Sequence, residues 1–434
     1  MSSLSPRRVV ITGFGVISPL GNSREKLWSS VRASRSGIAE LRSLPSDSLP
    51  CRFGAECVDF TGAIEDFGPL EKDLKRNIKK GTKVMCREIE MGVAAAQLAL
   101  VDAQLPAGSF DPDRTGCVYG CDYLLTMPQE FIDGIRNCTD AGSFDFTAWG
   151  EKGLAKVDPL WLLKFLPNMP ASHIAIYNDL RGPNNSLTLR EASSNAALAE
   201  SYLTIVRGHA DAMLAGATGS RIHPMKAVHT SLQEQVAQGD DPTQLSRPFD
   251  RDRQGLVIGE GAAALMLEER ESAQRRGAKI LGEVVGYGSS TVADRRGTPH
   301  RGQALENVLR QSLRTSGLAA NEIGHLHAHG LGTQQTDREE AQAIRAVFGD
   351  STPPVVAAKS YFGNLGAASG LVELLTSLLA LQEGQLFPVL NYKTPDPACA
   401  INVCRSHETP AGKSFINLNV SPQGQATAVV VQVA

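Results

Sequence analysis

A short unit occurs twice in this 434-residue chain: a run of β-branched and apolar residues, two glycines one residue apart, and later an Ala-rich or amphipathic stretch. Residues 8–15 (RVVITGFG) read as a buried strand ending in a glycine turn, and 84–104 (VMCREIEMGVAAAQLALVDAQ) carry apolar residues at helical spacing. Residues 280–288 (ILGEVVGYG) echo the first strand and its glycines, and 302–316 form a second amphipathic helix. A chain this long exceeds one hydrophobic core. Its restart predicts two pseudo-duplicated α/β halves, 1–268 and 269–434, each built on a mixed sheet. Between the repeated units, strands are expected at 115–120, 186–190, 211–219 and within 255–268. Helices are expected at 160–169, interrupted by Pro167, and at roughly 194–207, while the polar, Gly/Asp-rich segment 136–158 reads as a surface insertion.

Composition excludes several classes of function. A net charge of −3 offers no basic face for bulk nucleic-acid binding. The eight cysteines (51, 57, 86, 117, 121, 138, 399, 404) form no CxxC pair and no His/Cys cluster at zinc spacing, so they read as reduced, buried thiols and no metal is expected. No apolar run reaches the roughly 20 residues of a membrane span. The start, MSSLSPRR, is short and polar and is not expected to be a signal peptide, so the default compartment is the cytoplasm. Gly13 and Gly15 lack a third correctly spaced glycine, and no dinucleotide, flavin or other cofactor motif is present.

Several stretches together resemble the β-ketoacyl synthase branch of the thiolase superfamily. They are residues 9–21 (VVITGFGVISPLG), 247–255 (RPFDRDRQG) with 259–261 (GEG), 327–330 (HAHG) with Thr333 and 337–340 (DREE), and Lys359-Ser360. The resemblance spans essentially the whole chain. It implies a thiolase-like α/β/α/β/α layered fold, a dimer, and work on acyl groups carried by the phosphopantetheine arm of an acyl carrier protein, with no cofactor of the chain's own. In that family a cysteine on a strand-to-helix elbow takes the acyl group, and the helix N-terminus lowers its pKa. Two histidines assist decarboxylation, and backbone N–H groups form an oxyanion hole at the nucleophile and at a Gly-Phe-Gly-Gly loop.

This sequence departs from that pattern in three places. Ser193 stands at the nucleophile, within SLTLREASSNAA (186–197). Asn364 stands at the second histidine, five residues after Lys359. The glycine loop is replaced by residues 421–425 (SPQGQ), with Gln423 at the gating phenylalanine and Gly424 beside it. His329 and Lys359 match the family, and Glu340 is the expected partner of Lys359. A serine hydroxyl without a base is a poor nucleophile. Asn364 cannot carry a charge, and Pro422 has no N–H to donate.

Each residue also has a plainer reading. Ser193, Ser194 and Asn195 could cap a helix or close a turn. Lys359 and Glu340 read as a structural ion pair, and the pairing of Arg190 and Glu191 stays open. Met85, Met91 and Leu98 read as core. The basic run 73–83 (DLKRNIKKGTK) is either a solvated helix face or a docking patch for an acidic carrier protein. The resemblance places Cys117, Tyr119 and Cys121 along an acyl tunnel near the dimer interface. Three functions follow. The first is a non-condensing, chain-length-factor-like subunit paired with an active ketosynthase in fatty acid or polyketide synthesis. The second is a Ser193/His329 acyltransferase or thioesterase. The third is an active 3-oxoacyl synthase with unusual residues. The dimer is homomeric or heteromeric accordingly.

Overall fold

The computed structural model describes residues 7–45, 49–50, 52–106 and 108–434; the polar start at 1–6 and Cys51 lie outside them. The strands are β1 (Val9–Ile17), β2 (Ala39–Glu40), β3 (Phe53–Ala55), β4 (Thr115–Gly120), β5 (Thr139–Asp140), β6 (Ser143–Phe144), β7 (Asn184–Leu187), β8 (Ala212–Ser220), β9 (Ile258–Glu269), β10 (Gly282–Thr291), β11 (His325–His327), β12 (Val355–Val356), β13 (Ser414–Val420) and β14 (Gln425–Gln432). Ten of them run in the order β12-β11-β13-β14-β10-β1-β9-β8-β4-β7.

The order reads as one five-strand motif used twice. In one half β1 pairs antiparallel with β9, β9 antiparallel with β8, and β8 parallel with β4, which is parallel to β7. In the other, β10 pairs antiparallel with β14, β14 antiparallel with β13, and β13 parallel with β11, which is parallel to β12. The halves join where β1 meets β10. Even the irregularities correspond: the register shifts between Ile11 and Gly13 in β1, and between Val284 and Gly286 in β10.

The repeated glycines lie inside these strands and do not end them. Their absent side chains let a helix pack closely on each strand. A Cβ on Gly15 would sit 2.1 Å from the Ala95 carbonyl oxygen, and one on Gly13 would sit 2.4 Å from the Ala103 nitrogen, at the helix Arg87–Asp102. A Cβ on Gly288 would sit 2.5 Å from the Val308 carbonyl oxygen, in the helix Arg301–Ser316. Those two helices cover the outer faces, one per half. The helices Ser193–Val206 and Ser369–Glu383 lie in the middle, touching strands of both halves. Ser369–Glu383 is buried from Ser369 through Leu381, as a helix covered on all sides must be. The result is the expected α/β/α/β/α layering.

Two local expectations give way. The apolar stretch 160–169 is a short 3-10 turn (Trp161–Phe165), and the α-helix runs Met169–Asn178. Pro167 disfavours a helical residue before it, and Pro170 sits where a helix start tolerates proline. The strand before the elbow ends at Leu187, and residues 190–192 form a 3-10 turn. Segment 136–158 is a small hairpin and a set of short turns, with Phe144, Phe146 and Leu154 exposed. Met85 and Met91 are buried, and Leu98 packs partly buried against the same core cluster. Among the described residues no helix is long and apolar enough to cross a membrane.

Gly15→Ala is expected to cost at least about 1–3 kcal/mol in urea or guanidinium unfolding, because the crowding atoms are helix backbone. Gly288→Ala should behave likewise, whereas Gly277→Ala, which meets no atom within 4 Å, should show only the smaller cost of its left-handed backbone.

Candidate active site

Ser193 is the first residue of the helix Ser193–Val206, directly after a sharp elbow. Arg190 makes the elbow with φ of +55°, a left-handed conformation that is strained for a long side chain. The Ser193 hydroxyl is fully buried and used twice: Oγ accepts the Leu189 N–H at 2.8 Å and donates to the Cys121 carbonyl at 3.2 Å. It therefore fastens the turn and leaves the helix N–H groups alone. Ser194 Oγ donates to the Ala367 carbonyl, and Asn195 Nδ2 donates to Asn417 O at 3.1 Å and Asn419 Oδ1 at 2.9 Å.

His329 follows β11, and its orientation is set by Lys359. The lysine ammonium donates to the His329 carbonyl at 2.8 Å, to Glu373, and to His329 Nδ1 at 3.3 Å. An ammonium has three N–H groups and nothing with which to accept. Nδ1 is therefore the acceptor, and the neutral ring carries its proton on Nε2, toward the cleft. Burial first, and the Lys359 charge second, push the imidazole well below its ordinary pKa. His329 is thus a hydrogen-bond donor, in a poor position to take a proton.

The expected Lys359–Glu340 pair is not formed. Glu373, on the central helix Ser369–Glu383, takes that place, and its second oxygen accepts from Asn419 Nδ2 at 2.7 Å. Glu340 instead accepts the backbone N–H groups of His329 at 2.6 Å and Gly330 at 2.8 Å, so it holds the loop that carries the histidine. Burial pushes its carboxyl up to about 8 despite those bonds. Glu373 lies 14 residues beyond Lys359, outside the motif, so local spacing could not reveal it.

Asn364 is occupied as well. Its Nδ2 donates to Glu191 Oε1 at 3.0 Å, and its Oδ1 accepts from Gly366 N and Ser369 Oγ, both at 3.1 Å. Glu191 is buried and also accepts from Arg221 Nη2 at 2.6 Å, and Arg221 Nη2 lies 3.2 Å from Asp122. Burial works to raise the Glu191 pKa, but the Arg221 and Arg190 guanidiniums and the Asn364 amide hold it well below the carboxylate range. Arg221, without exposure, moves up, because Asp122 and Glu191 outweigh the cost of burying it.

Arg190, Glu191, Arg221, His329, Asn364 and Pro422 line one cleft, with Glu234 and Arg301 at its side. The space they leave is about 10 Å³, enough for roughly one water. Ser193 is not among the lining residues. The 421–425 segment is a tight turn between β13 and β14. Ser421 N donates to Gln425 O at 2.8 Å and Gly424 N to Ser421 O at 3.0 Å, so the Gly424 donor is spent inside the turn. Gln423 is exposed, and Ser421 and Pro422 are the members that reach the cleft. Cys117, Tyr119 and Cys121 are fully buried, with the Tyr119 hydroxyl donating to Gly92 O at 2.7 Å. Sequence reasoning left Glu191 and Arg190 open and did not single out Arg221, Asp122, Glu234 or Arg301. They come from separate segments of the chain and share no motif.

Residues 6–273 match the family description "Beta-ketoacyl synthase, N-terminal domain", and 281–393 match "Beta-ketoacyl synthase, C-terminal domain". The chain is 32% identical over 406 residues to the 3-oxoacyl-[acyl-carrier-protein] synthase 2 of Synechocystis sp., covering 93% of this chain and 92% of that one. Among solved structures it is similar to the ishigamide ketosynthase/chain length factor, with a TM-score of 0.83, 27% identity and 99% and 100% coverage of the two chains. It is similar in the same measure to a beta-ketoacyl synthase from Burkholderia phymatum, with a TM-score of 0.83, 28% identity, and 99% and 100% coverage. The chain belongs to the β-ketoacyl synthase family, and its layered fold is that of thiolase-like ketosynthases.

The tautomer is directly testable. Nitrogen-15 NMR should find His329 neutral and protonated on Nε2 from pH 8 down to at least 5.5. Lys359→Met, which removes the neighbouring positive charge, should raise the ring's pKa toward its ordinary value.

Proposed function

We propose that this chain is a non-condensing member of its family, acting as the chain-length-factor-like partner of a cysteine-bearing ketosynthase. One observation carries the reading: the cleft beside His329 is filled by the Glu191–Arg221–Asp122 ion cluster and the Asn364 amide, leaving room for roughly one water. A thioester carbonyl and its attacking carbon need far more space than that. Ser193 and the 421–425 turn support the same reading from two sides. The hydroxyl is spent on backbone groups, and the Ser421 and Gly424 N–H groups are spent inside the turn. Retained His329 fits a structural role, since Glu340 and Lys359 fix its loop and ring.

The acyltransferase reading requires Ser193 to meet a base, and neither bond of its hydroxyl goes to one. The relatives named 3-oxoacyl-[acyl-carrier-protein] synthase 2 keep condensation as the rival. An acyl carrier protein fits as a shared partner. The helix Lys72–Gly81 exposes Lys72, Lys75, Arg76, Lys79 and Lys80, and of these Lys75 and Arg76 meet local carboxylates while the others stay open to an acidic surface.

Incubated with acyl and malonyl carrier protein thioesters, the purified chain should gain no acyl mass at Ser193 and form no 3-oxoacyl product. Ser193→Cys alone should not restore condensation. Recovery at an ordinary enzymatic rate in that variant would overturn the reading, and co-purification with a cysteine-bearing homologue would support it. Separately, Lys79→Glu with Lys80→Glu should weaken carrier-protein binding by about tenfold at low salt, and by much less at high salt.

A further inference from the structure

Behind the cleft the core holds two further histidines that the proposed function does not use. His325 and His327 are alternate residues of β11 and share one face of the strand, and both are fully buried. Ser377, on the central helix Ser369–Glu383, lies between them. Its Oγ is 3.0 Å from His325 Nε2 and 2.8 Å from His327 Nδ1. A backbone group stands at each outer end. His325 Nδ1 lies 2.8 Å from the Ala411 carbonyl oxygen, and the Ala358 N–H reaches His327 Nε2 at 3.1 Å.

Those two ends fix the protons between them. A carbonyl only accepts, so His325 carries its proton on Nδ1 and offers Nε2 as an acceptor. A backbone N–H only donates, so His327 accepts at Nε2 and carries its proton on Nδ1. The Ser377 hydroxyl then accepts from His327 and donates to His325. The hydrogen bonds run one way, from Ala358 through His327, Ser377 and His325 to Ala411, and both rings are neutral.

The surroundings oppose a charge on either ring. His325 stacks on Phe415 at 5.0 Å, and His327 lies 5.9 Å from Phe387. Lys359 and the other imidazole face His327 with the same sign as an imidazolium. Glu373, one turn before Ser377 on the helix, bonds to Lys359 and Asn419 and to neither ring. A proton on His327 Nε2 would meet the Ala358 N–H head on. A proton on His325 Nε2 would leave the Ser377 hydroxyl facing two donors and take away the acceptor of its own hydrogen.

We propose that this chain of bonds is an acid-triggered release: it ties β11, residue 358 and the central helix together while both rings are neutral, and a proton taken up by either ring parts them, freeing the loop of His329 and the lysine that clamps it. The release is independent of whether Ser193 is catalytic. Burial pushes His325 down to about 4 and His327 well below its ordinary value, so the unfolded chain takes up these protons first, near about pH 6.5. The contribution to stability is therefore complete above about pH 6.5 and is lost as the pH falls, each ring raising the unfolding constant by about tenfold per pH unit until its folded value is reached.

The double variant His325→Gln with His327→Gln tests the release, because each amide offers an acceptor and a donor, as the neutral ring does, and takes no proton. In urea unfolding from pH 6 to pH 5, the parent's unfolding constant should rise by up to about a hundredfold more than the variant's, since the other titrating groups are common to both. Amide protection at 326–330 and 358–360, corrected for intrinsic exchange, should fall about tenfold or more from pH 7 to 5.5 in the parent and stay level in the variant. In the native chain, nitrogen-15 NMR should find both rings protonated on Nδ1 alone at pH 7.5 and still neutral at pH 5.5. An Nε2–H on either ring overturns the proposal, whether or not the variant folds. So does one shared pH dependence in parent and variant.

Discussion

Glu191 and Arg221 form an ion pair with almost no access to water, and the arrangement of the cleft follows from that pair. Two charges taken out of solvent lose several kcal/mol of hydration each, and their attraction compensates only when further hydrogen bonds saturate both groups. The Asn364 amide on Glu191 and the Asp122 carboxylate beside Arg221 supply part of that, while Glu191 Oε2 and Arg221 Nε stay buried with no hydrogen-bond partner among the described residues. Removing Arg221 would leave the buried Glu191 and Asp122 carboxylates without their shared guanidinium, at a cost of about 3–5 kcal/mol. An imidazole at position 364 would bring a larger ring to a carboxylate already bonded to arginine, so the asparagine belongs with this cluster and is more than the loss of a histidine.

His329 illustrates why retention of a residue says little about retention of its task. A ring that accepts at Nδ1 and donates at Nε2 can stabilise a developing negative charge, which suits an oxyanion, and cannot abstract a proton at that same nitrogen. Lys359 enforces this division in the folded chain. The imidazole therefore keeps its place in the scaffold through the bonds behind it, whatever happens in front of it.

Much of the architecture was legible from local pattern. The strand at 115–120 was read residue for residue, and the helices at 87–102, 193–206 and 301–316 came within three residues at each end, because buried strands and covering helices impose strong periodicities. The duplicated halves could be heard in the glycines, although their purpose was misread as turning when it is close packing. What escaped depends on distance. Glu373 meets Lys359 between two separate helices, Arg221 meets Glu191 between the end of β8 and the 190–192 turn, and the Met169–Asn178 helix was displaced by the grammar of two prolines. No window of ten or twenty residues holds both partners of such pairs in a recognisable spacing.

The asparagines of β13 have a mechanical consequence. Asn417 and Asn419 lie on one face of the strand and each bonds to both central helices, Asn417 to Asn195 and Gly370, Asn419 to Asn195 and Glu373. The two helices are thereby riveted to a single strand at neighbouring positions. A displacement of the Ser193 end cannot be absorbed locally; it must be shared with the lysine clamp behind His329, and the middle layer of the molecule moves as a stiff beam or not at all.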